Sequence, residues 1–235
     1  MGLTRYLAQT AAEFAANPGA ARETAWMACH FSPYGTGLSN LPTALPQGAM
    51  VILNDRTPIW GHDPEVILAQ LQQTVESLRC RCVLLDFQRP ENGEYAAIAR
   101  RLTTALPCPV GVTPPYARAL DCPVFLPPVP LRQKPAEYLR PWQGREIWLE
   151  AALDGEDVTL TPNGAVSQPL PHPGDEKAPL ADEDLCCHYR IDLTPESARF
   201  TLRRTSADLD RLLQTAQALG VTRSVGLWQE LRNME

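Results

Sequence analysis

The chain has 235 residues, of which 44% are hydrophobic and 20% are charged, and it carries a formal net charge of −6 at pH 7. This length and composition are those of a folded globular protein with a sizeable core, which excludes a disordered or fibrous chain. The acidic balance argues against a nucleic-acid partner, because phosphate binding needs a basic face. No apolar run approaches the roughly 20 residues that span a bilayer, so no membrane association is expected.

The seven cysteines are odd in number, and several lie in apolar runs. They show neither a C-x-x-C pair nor a Cys/His spacing typical of zinc, so reduced cysteines acting as small buried hydrophobes are predicted. No metal ion and no cofactor is expected. Residues 1–17 show no basic segment followed by an apolar core, which favours a cytoplasmic location. The oligomeric state is left open.

Short β-type runs alternate with helical patterns, and the 23 prolines punctuate the segments between them. An N-terminal helix is predicted at Thr4–Ala16. Strands are predicted at Ala25–Phe31, Ala49–Asn54, Arg81–Phe87, Pro109–Thr113, Pro123–Leu126, Glu146–Ala151, Leu185–Ile191 and Arg223–Trp228. Helices are predicted at Pro64–Leu78, Gly93–Leu106 and Ser206–Leu219, with shorter pieces at Tyr116–Leu120 and Pro135–Trp142.

Eight mostly apolar strands alternating with helices favour a single α/β domain over 1–235, with the architecture of a TIM-type (β/α)8 barrel. Two irregularities point to an abridged or irregular barrel: a long loop at 32–48, and a β-hairpin with a proline-rich insertion at about 156–184. The alternative is an open doubly wound sheet, which is less favoured because no glycine-rich phosphate loop follows the first strand.

In a parallel barrel, function lies at the carboxyl ends of the strands. The side chains there are polar and aromatic, which is the mixture that binds a sugar: rings stack on its apolar side, and carboxylates and amides bind its hydroxyls. The expected ligand is therefore a carbohydrate or another small molecule. The candidates for ligand binding are Gln88, Trp228, Tyr34, His30, Asn54, Asp55 and Tyr189.

The most informative of these ends is Val83-Leu84-Leu85-Asp86-Phe87-Gln88, where Asp86 and Gln88 point to one face of the strand and Phe87 to the other. This run, followed by Arg89-Pro90 and a helix, resembles the signature of glycoside hydrolase family 18, the chitinase type. In that family an apolar strand ends in Asp-aromatic-Glu. Val225-Gly226-Leu227-Trp228 is similar to the family's last strand, which ends in a tryptophan that floors the sugar site. The resemblance implies a sugar ligand, with an N-acetylglucosamine unit oriented by Asp86.

The departures from the family pattern are equally specific. The family's general acid is the glutamate at the position of Gln88, and an amide cannot protonate a leaving glycosidic oxygen. The two upstream family aspartates fall on Arg81 and Leu84. The run also lies on the third predicted strand, whereas the family carries it on the fourth. Either one strand is missing from the prediction, or the barrel is abridged, or the similarity is convergent.

Three functional hypotheses follow. The first is a family-18-like protein without the usual acid that binds a carbohydrate. The second is an active glycosidase in which Asp86 works with another carboxylate, Glu150 or Glu230, as in two-carboxylate mechanisms. The third is a non-enzymatic interaction scaffold.

Overall fold

A computed structural model describes residues 2–17, 23–90, 92–170 and 178–234. Its main sheet contains eight parallel strands, and it closes because the first strand pairs with both the last and the second. In chain order these strands are β1 (Thr4–Gln9), β2 (Thr24–Phe31), β4 (Met50–Asn54), β5 (Cys82–Asp86), β6 (Val110–Val112), β7 (Val124–Leu126), β8 (Ile147–Ala151) and β14 (Val221–Leu227). The fold is a TIM-type (β/α)8 barrel, and the open-sheet alternative is wrong.

The helical layer is irregular. Its helices are α1 (Ala11–Ala16), α2 (Pro64–Leu78), α3 (Gly93–Ala105), α4 (Pro114–Ala117), α5 (Pro135–Leu139), α6 (Ser206–Ala218) and α7 (Trp228–Leu231), with a 3₁₀ turn at Arg140–Trp142. The segment between β2 and β4 contains no helix among its described residues, and instead β3 (Leu38–Ser39) pairs antiparallel with β2.

The N-terminal prediction is wrong in its first half, because Thr4–Gln9 is a strand and not the start of a helix. Tyr6 and Ala8 point into the barrel, while Leu7 packs against the outer layer of core. Thr10 then caps α1: its hydroxyl accepts the Glu13 N–H, and the Glu13 carboxylate accepts the Thr10 N–H. The cap at Thr10 therefore lies in the middle of the predicted helix Thr4–Ala16 and separates β1 from α1.

The predicted barrel strand Leu185–Ile191 is also misplaced. Its residues overlap β12 (Cys187–Thr194), which belongs to a separate five-stranded antiparallel sheet that follows β8. The other members are β9 (Gly155–Thr161), β10 (Gly164–Pro169), β11 (Leu180–Asp182) and β13 (Ser197–Arg203). The predicted hairpin turn at Asn163-Gly164 is present, with Thr161 paired to Gly164. Part of the predicted proline-rich loop lies at 171–177, outside the described residues.

A buried arginine joins this inserted sheet to the barrel. Arg204 follows β13 and donates to the carbonyl oxygens of Val129 (3.1 Å) and Cys186 (3.3 Å), and its guanidinium faces Asp154 at 3.4 Å. Its backbone N–H also donates to the Asp154 carbonyl. The two ends of the insertion are thereby held together above the barrel.

The barrel interior is a filled core below its mouth. Inward side chains form one buried cluster, and Trp148 is its largest fully buried member. The Trp148 ring lies against Gly111 on β6, where an added Cβ would come within 2.3 Å of the ring. Glu146 accepts the Trp148 indole N–H at 2.9 Å, and the Arg223 guanidinium lies 4.8 Å from the ring centroid. The inner cluster comprises Tyr6, Ala8, Ala25, Met50, Ile52, Cys82, Leu84, Phe125, Trp148 and Val225.

This packing predicts that Gly111→Ala destabilises the protein by about 1–3 kcal/mol, because the new methyl group overlaps a side chain that has no space to retreat. Urea unfolding measures the loss. Gly93→Ala is the matched control, since a Cβ there meets nothing within 4 Å. Equal stability of the two variants would contradict this account of the interior.

Candidate functional site

The mouth of the barrel contains a cavity of about 610 Å³ at the carboxyl ends of the strands. Its lower part is apolar and is made by residues of the inner cluster. Polar side chains from β2, β4, β5 and β8 and from the loops that follow them line its upper part. The apolar residues are Ala8, Ile52, Leu84, Phe125 and Val225, and the polar ones include His30, Asn40, Asn54, Asp55, Arg56, Asp86, Gln88 and Glu150.

Strand alternation places the central carboxylates. On β5, Cys82 and Leu84 belong to the inner cluster, so Asp86 two residues further along points inward as well. On β8, Trp148 points inward and Glu150 follows it into the cavity. Val83, Leu85 and Phe87 belong instead to the outer core.

Asp86 and Gln88 form one hydrogen-bonded unit. The Gln88 amide Nε2 donates to Asp86 Oδ1 at 2.5 Å. Burial raises the pKa of Asp86; the hydrogen bond from Gln88 opposes this effect, and the nearby Asp55 carboxylate adds to it. The amide therefore acts as a neutral donor that compensates part of the cost of burying Asp86.

Glu150 is the carboxyl group with the largest perturbation in the cavity. Burial raises its pKa to about 7, and the charges of Asp86, Asp154 and Glu230 act in the same direction. Near neutral pH Glu150 is therefore partly protonated, and its protonated form is a hydrogen-bond donor as well as an acceptor.

Asp55 and Asn54 hold the strand ends in position. Asp55 is buried and accepts the backbone N–H of Arg89 at 2.6 Å, while the Arg89 side chain donates to the Asp55 carbonyl. Asn54 donates to the Met27 carbonyl at 2.8 Å and accepts the Arg56 N–H. These bonds tie β4 to its two neighbours, and both residues also line the cavity.

His30 reaches the cavity through a β-bulge. The register between β2 and β4 shifts by one residue between Trp26 and Cys29, and this extra residue reverses which side chains of β2 face inward. After the bulge His30 points inward, while Cys29 and Phe31 face the outer core. Its Nδ1 lies 2.8 Å from the Phe31 carbonyl and its Nε2 lies 3.1 Å from Asn40 Nδ2. A neutral ring with the proton on Nδ1 satisfies both contacts.

Four of the predicted site residues lie elsewhere. Trp228 is the first residue of α7, only 8% exposed, and Leu227 takes the place at the cavity wall that the family resemblance gives to the tryptophan. Tyr189 pairs with Leu202 in the inserted sheet, and Tyr34 projects from a loop. Glu230 Oε1 accepts the Leu153 N–H, and Glu230 does not line the cavity. Its negative charge nevertheless helps to raise the pKa of Glu150.

Phe125, Asn40 and Thr10 are among the lining residues that the sequence reasoning missed. Phe125 lies on a correctly predicted strand, and strand alternation alone would have identified its inward position. Asn40 follows β3, a strand that is not predicted. Thr10 caps α1, which forms the second half of the predicted helix Thr4–Ala16, and the capping-box spacing of Thr10 and Glu13 is the local signal that could have placed the helix start there. Among the described residues, no group of three or more His, Cys, Asp or Glu side chains forms a candidate metal site.

No protein-family model matches the sequence, and no curated protein matches it. Solved structures do match the fold. A mutant of a family 18 chitinase from Cycas revoluta, in complex with (GlcNAc)4, is 11% identical with a TM-score of 0.60, and the match covers 98% of this chain and 96% of that one. The spore cortex-lytic enzyme SleL of Bacillus cereus is 12% identical with a TM-score of 0.56, over 95% and 70% of the two chains. A chitinase from Chromobacterium violaceum is 10% identical with a TM-score of 0.53, over 95% and 93%.

At these identities the comparisons establish the fold: a TIM-type barrel like those of family 18 chitinases and SleL. The extra strand β1 also makes β5 the fourth barrel strand in chain order. Of the three explanations for the strand count, a strand missing from the prediction is the one that the structure shows. Among the described residues, no helix is long and apolar enough to cross a membrane.

The raised pKa of Glu150 predicts a pH-dependent stability. A carboxyl group protonated more readily in the folded state stabilises the fold below its unfolded pKa of about 4.5, and that contribution is lost as the pH rises through about 7. The free energy of unfolding of the wild type should fall between pH 5 and pH 8. In Glu150→Gln, whose side chain stays neutral, it should fall by about 1–3 kcal/mol less. Denaturant unfolding at the two pH values measures it.

Glu196→Gln is the control for this experiment, because Glu196 is exposed in the turn between β12 and β13. A wild-type protein and a Glu150→Gln variant with parallel pH profiles would refute the burial of the Glu150 charge.

Proposed function

We propose that this protein binds a carbohydrate that contains N-acetylglucosamine, in the cavity at the barrel mouth. The observation that carries the proposal is the Asp86–Gln88 pair, hydrogen-bonded at the end of the fourth barrel strand and exposed to a cavity with an apolar floor and polar walls. The structural neighbours support it, since one of them is solved in complex with (GlcNAc)4.

The cavity offers the chemistry that a sugar requires. Phe125, Ile52 and Leu84 give an apolar floor for the carbon face of a ring. Above them, carboxylate oxygens accept hydrogen bonds from hydroxyl or acetamido groups. The Gln88 amide retains one N–H beyond the one donated to Asp86, and its oxygen accepts.

Binding rather than family-type hydrolysis is the primary function in this proposal. The position that resembles the family's general acid is occupied by Gln88, whose amide has no proton to transfer at neutral pH. The Asp86 carboxylate is present, and in the resemblance it orients the acetamido group of the substrate. That orientation serves recognition whether or not a proton is then delivered.

Removal of the Asp86 carboxylate is expected to weaken binding. A charge-assisted hydrogen bond contributes about 1.5–3 kcal/mol, so Asp86→Ala should raise the dissociation constant for (GlcNAc)4 by about tenfold or more in calorimetry. Asp121→Ala removes an exposed carboxylate outside the cavity and should leave the constant unchanged. A wild-type protein with no affinity for N-acetylglucosamine oligomers would sink the proposal.

A second candidate function is favoured by one observation, the pKa of Glu150 near 7. A carboxylic acid protonated at neutral pH is what a glycosidase needs to protonate a leaving group, and Asp86 faces the same cavity as a second carboxylate. In this scheme Glu150 replaces the acid that is absent at residue 88, and activity falls as the pH rises through about 7.

An aryl N-acetylglucosaminide assay on three proteins separates the two functions. Binding alone predicts no turnover by the wild type and newly acquired turnover in Gln88→Glu, where the new carboxyl lies beside Asp86 and shares its proton. The second candidate predicts wild-type turnover that Glu150→Gln reduces by at least about a hundredfold. Wild-type turnover that survives Glu150→Gln would exclude Glu150 as the acid.

A further inference from the structure

The inserted antiparallel sheet ends on one side in a strand with an open edge. β10 (Gly164–Pro169) is the first strand in the order β10-β9-β13-β12-β11, and within the described residues only β9 pairs with it. All six of its residues are exposed. One row of its backbone N–H and C=O groups is therefore left for water or for another strand.

The opposite edge of the sheet is protected against such pairing, and β10 is not. β11 (Leu180–Asp182) has only three residues and carries a charge at Asp182. Short length and charged side chains are common means by which an edge strand avoids other chains. β10 has six residues, a typical length for a strand, and none of them is charged. Its one protective feature is the proline at its end.

The pairing with β9 decides which backbone groups of β10 are free. The Leu170 N–H donates to the Gly155 carbonyl at 2.9 Å and continues the register of the two strands. Along an antiparallel pair, residues that exchange hydrogen bonds alternate with residues that do not. The even-numbered residues of β10 therefore bond to β9, while Ala165 and Ser167 direct their N–H and C=O groups outward.

This outward pattern is complementary to itself. Two copies of β10 can run antiparallel about a two-fold axis at Val166, so that Ala165 of each copy lies opposite Ser167 of the other. Each such pair exchanges two hydrogen bonds, which gives four between the copies. The same strand thus supplies both the donors and the acceptors that its edge requires.

Neighbouring registers are less favourable than the one centred on Val166. A shift of two residues in one direction brings Pro169 into the ladder, where it has no N–H to donate and its ring obstructs the second strand. A shift in the other direction brings in Asn163, whose N–H already donates to Thr161 Oγ1 at 3.2 Å. The two ends of β10 therefore select one register.

Side chains and charge also favour a second copy at this edge. Val166 is 57% exposed, and in this register it lies opposite Val166 of the second copy. The two valines form a pair without hydrogen bonds, in which opposed side chains approach most closely. Each chain has a net charge of −6, so two copies approach with least repulsion along a strand that carries no charge.

We propose that β10 is a dimerisation strand, on which a second copy of this chain pairs antiparallel about Val166 and joins the two inserted sheets into one of ten strands. The two-fold axis is perpendicular to this sheet, so both copies present the same face on the same side. The face that carries Val158 and Leu202 packs on Leu131 in the segment after β7, and both barrels therefore lie on that side. A contact of this small size corresponds to a weak dimer, in the micromolar range.

Sedimentation velocity from about 1 µM to about 1 mM protein measures this dimer, and we expect the wild type to pass from monomer to dimer in that range. Val166→Lys places two ammonium groups opposite each other at the axis and should raise the dissociation constant at least about tenfold. Leu193→Lys adds the same charge at a 75% exposed side chain on β12 and is the matched control. Its dissociation constant should equal that of the wild type.

A cross-link reports the register directly. In Val166→Cys, oxidation by diamide should give a disulfide-linked dimer on a non-reducing gel, because opposed residues of a pair without hydrogen bonds lie close enough for a disulfide. Leu193→Cys is the control for the native cysteines and should stay monomeric on the gel.

A wild type that remains monomeric up to about 1 mM overturns the proposal. A dimer that Val166→Lys leaves unchanged does so too, since the contact then lies elsewhere. Equal weakening by Val166→Lys and Leu193→Lys would reveal an effect of net charge and not of the strand, and equal cross-linking of the two cysteine variants would contradict the register. The sugar proposal is tested separately, because β10 does not line the cavity.

Discussion

The closure of the barrel by one six-residue strand is the constraint on which the rest of the structure depends. β1 pairs with β14 along one edge and with β2 along the other. Without it, β14 and β2 would be edge strands, and the inward side chains would face solvent. With it, the interior is filled by the cluster around Trp148 up to the level of Leu84 and Phe125, and the space above becomes a cavity. The depth of the site is therefore set by core packing.

Closure of the barrel also explains why two carboxylates lie in the cavity. Strand alternation continues from the apolar interior into the mouth, so the next inward residues on β5 and β8 are Asp86 and Glu150. Both carboxylates are partly desolvated, and burial raises the pKa of each; the charge of Asp86 raises the pKa of Glu150 further. Burying these charges is costly unless a ligand or a proton compensates. The Gln88 amide supplies part of that compensation for Asp86, and Glu150 is left to take up a proton near pH 7.

Much of the fold could be predicted from the sequence, because the signals were local. Seven barrel strands are apolar runs bounded by turn residues, and the cap at Asp63 with Pro64 marks the start of α2. β1 was missed because its six residues run directly into a helix and the two resemble one element, although the capping-box spacing of Thr10 and Glu13 marks where the helix begins. The strand predicted at Leu185–Ile191 is real as β structure, but only long-range pairing decides that it belongs to a second sheet.

The residues of the candidate site could be predicted where inward and outward side chains alternate regularly along a strand. Asp86, Gln88, Glu150 and Asn54 are placed by period-two alternation and reach the cavity. His30 also reaches it, but only because a bulge reverses the alternation of β2, a feature with no signature in the sequence. Trp228 departs from the expectation because β14 ends at Leu227 and helix α7 begins with the tryptophan, which turns its ring into the core.

We propose that the cavity between Asp86 and Glu150 holds an N-acetylglucosamine unit. A crystal structure of the protein grown with (GlcNAc)4 tests it most directly. We expect a sugar ring above Phe125, with its acetamido group within hydrogen-bond distance of Asp86 and its hydroxyls near Gln88 or Glu150. Sugar density that avoids this cavity, at a concentration that saturates the protein in solution, would contradict it.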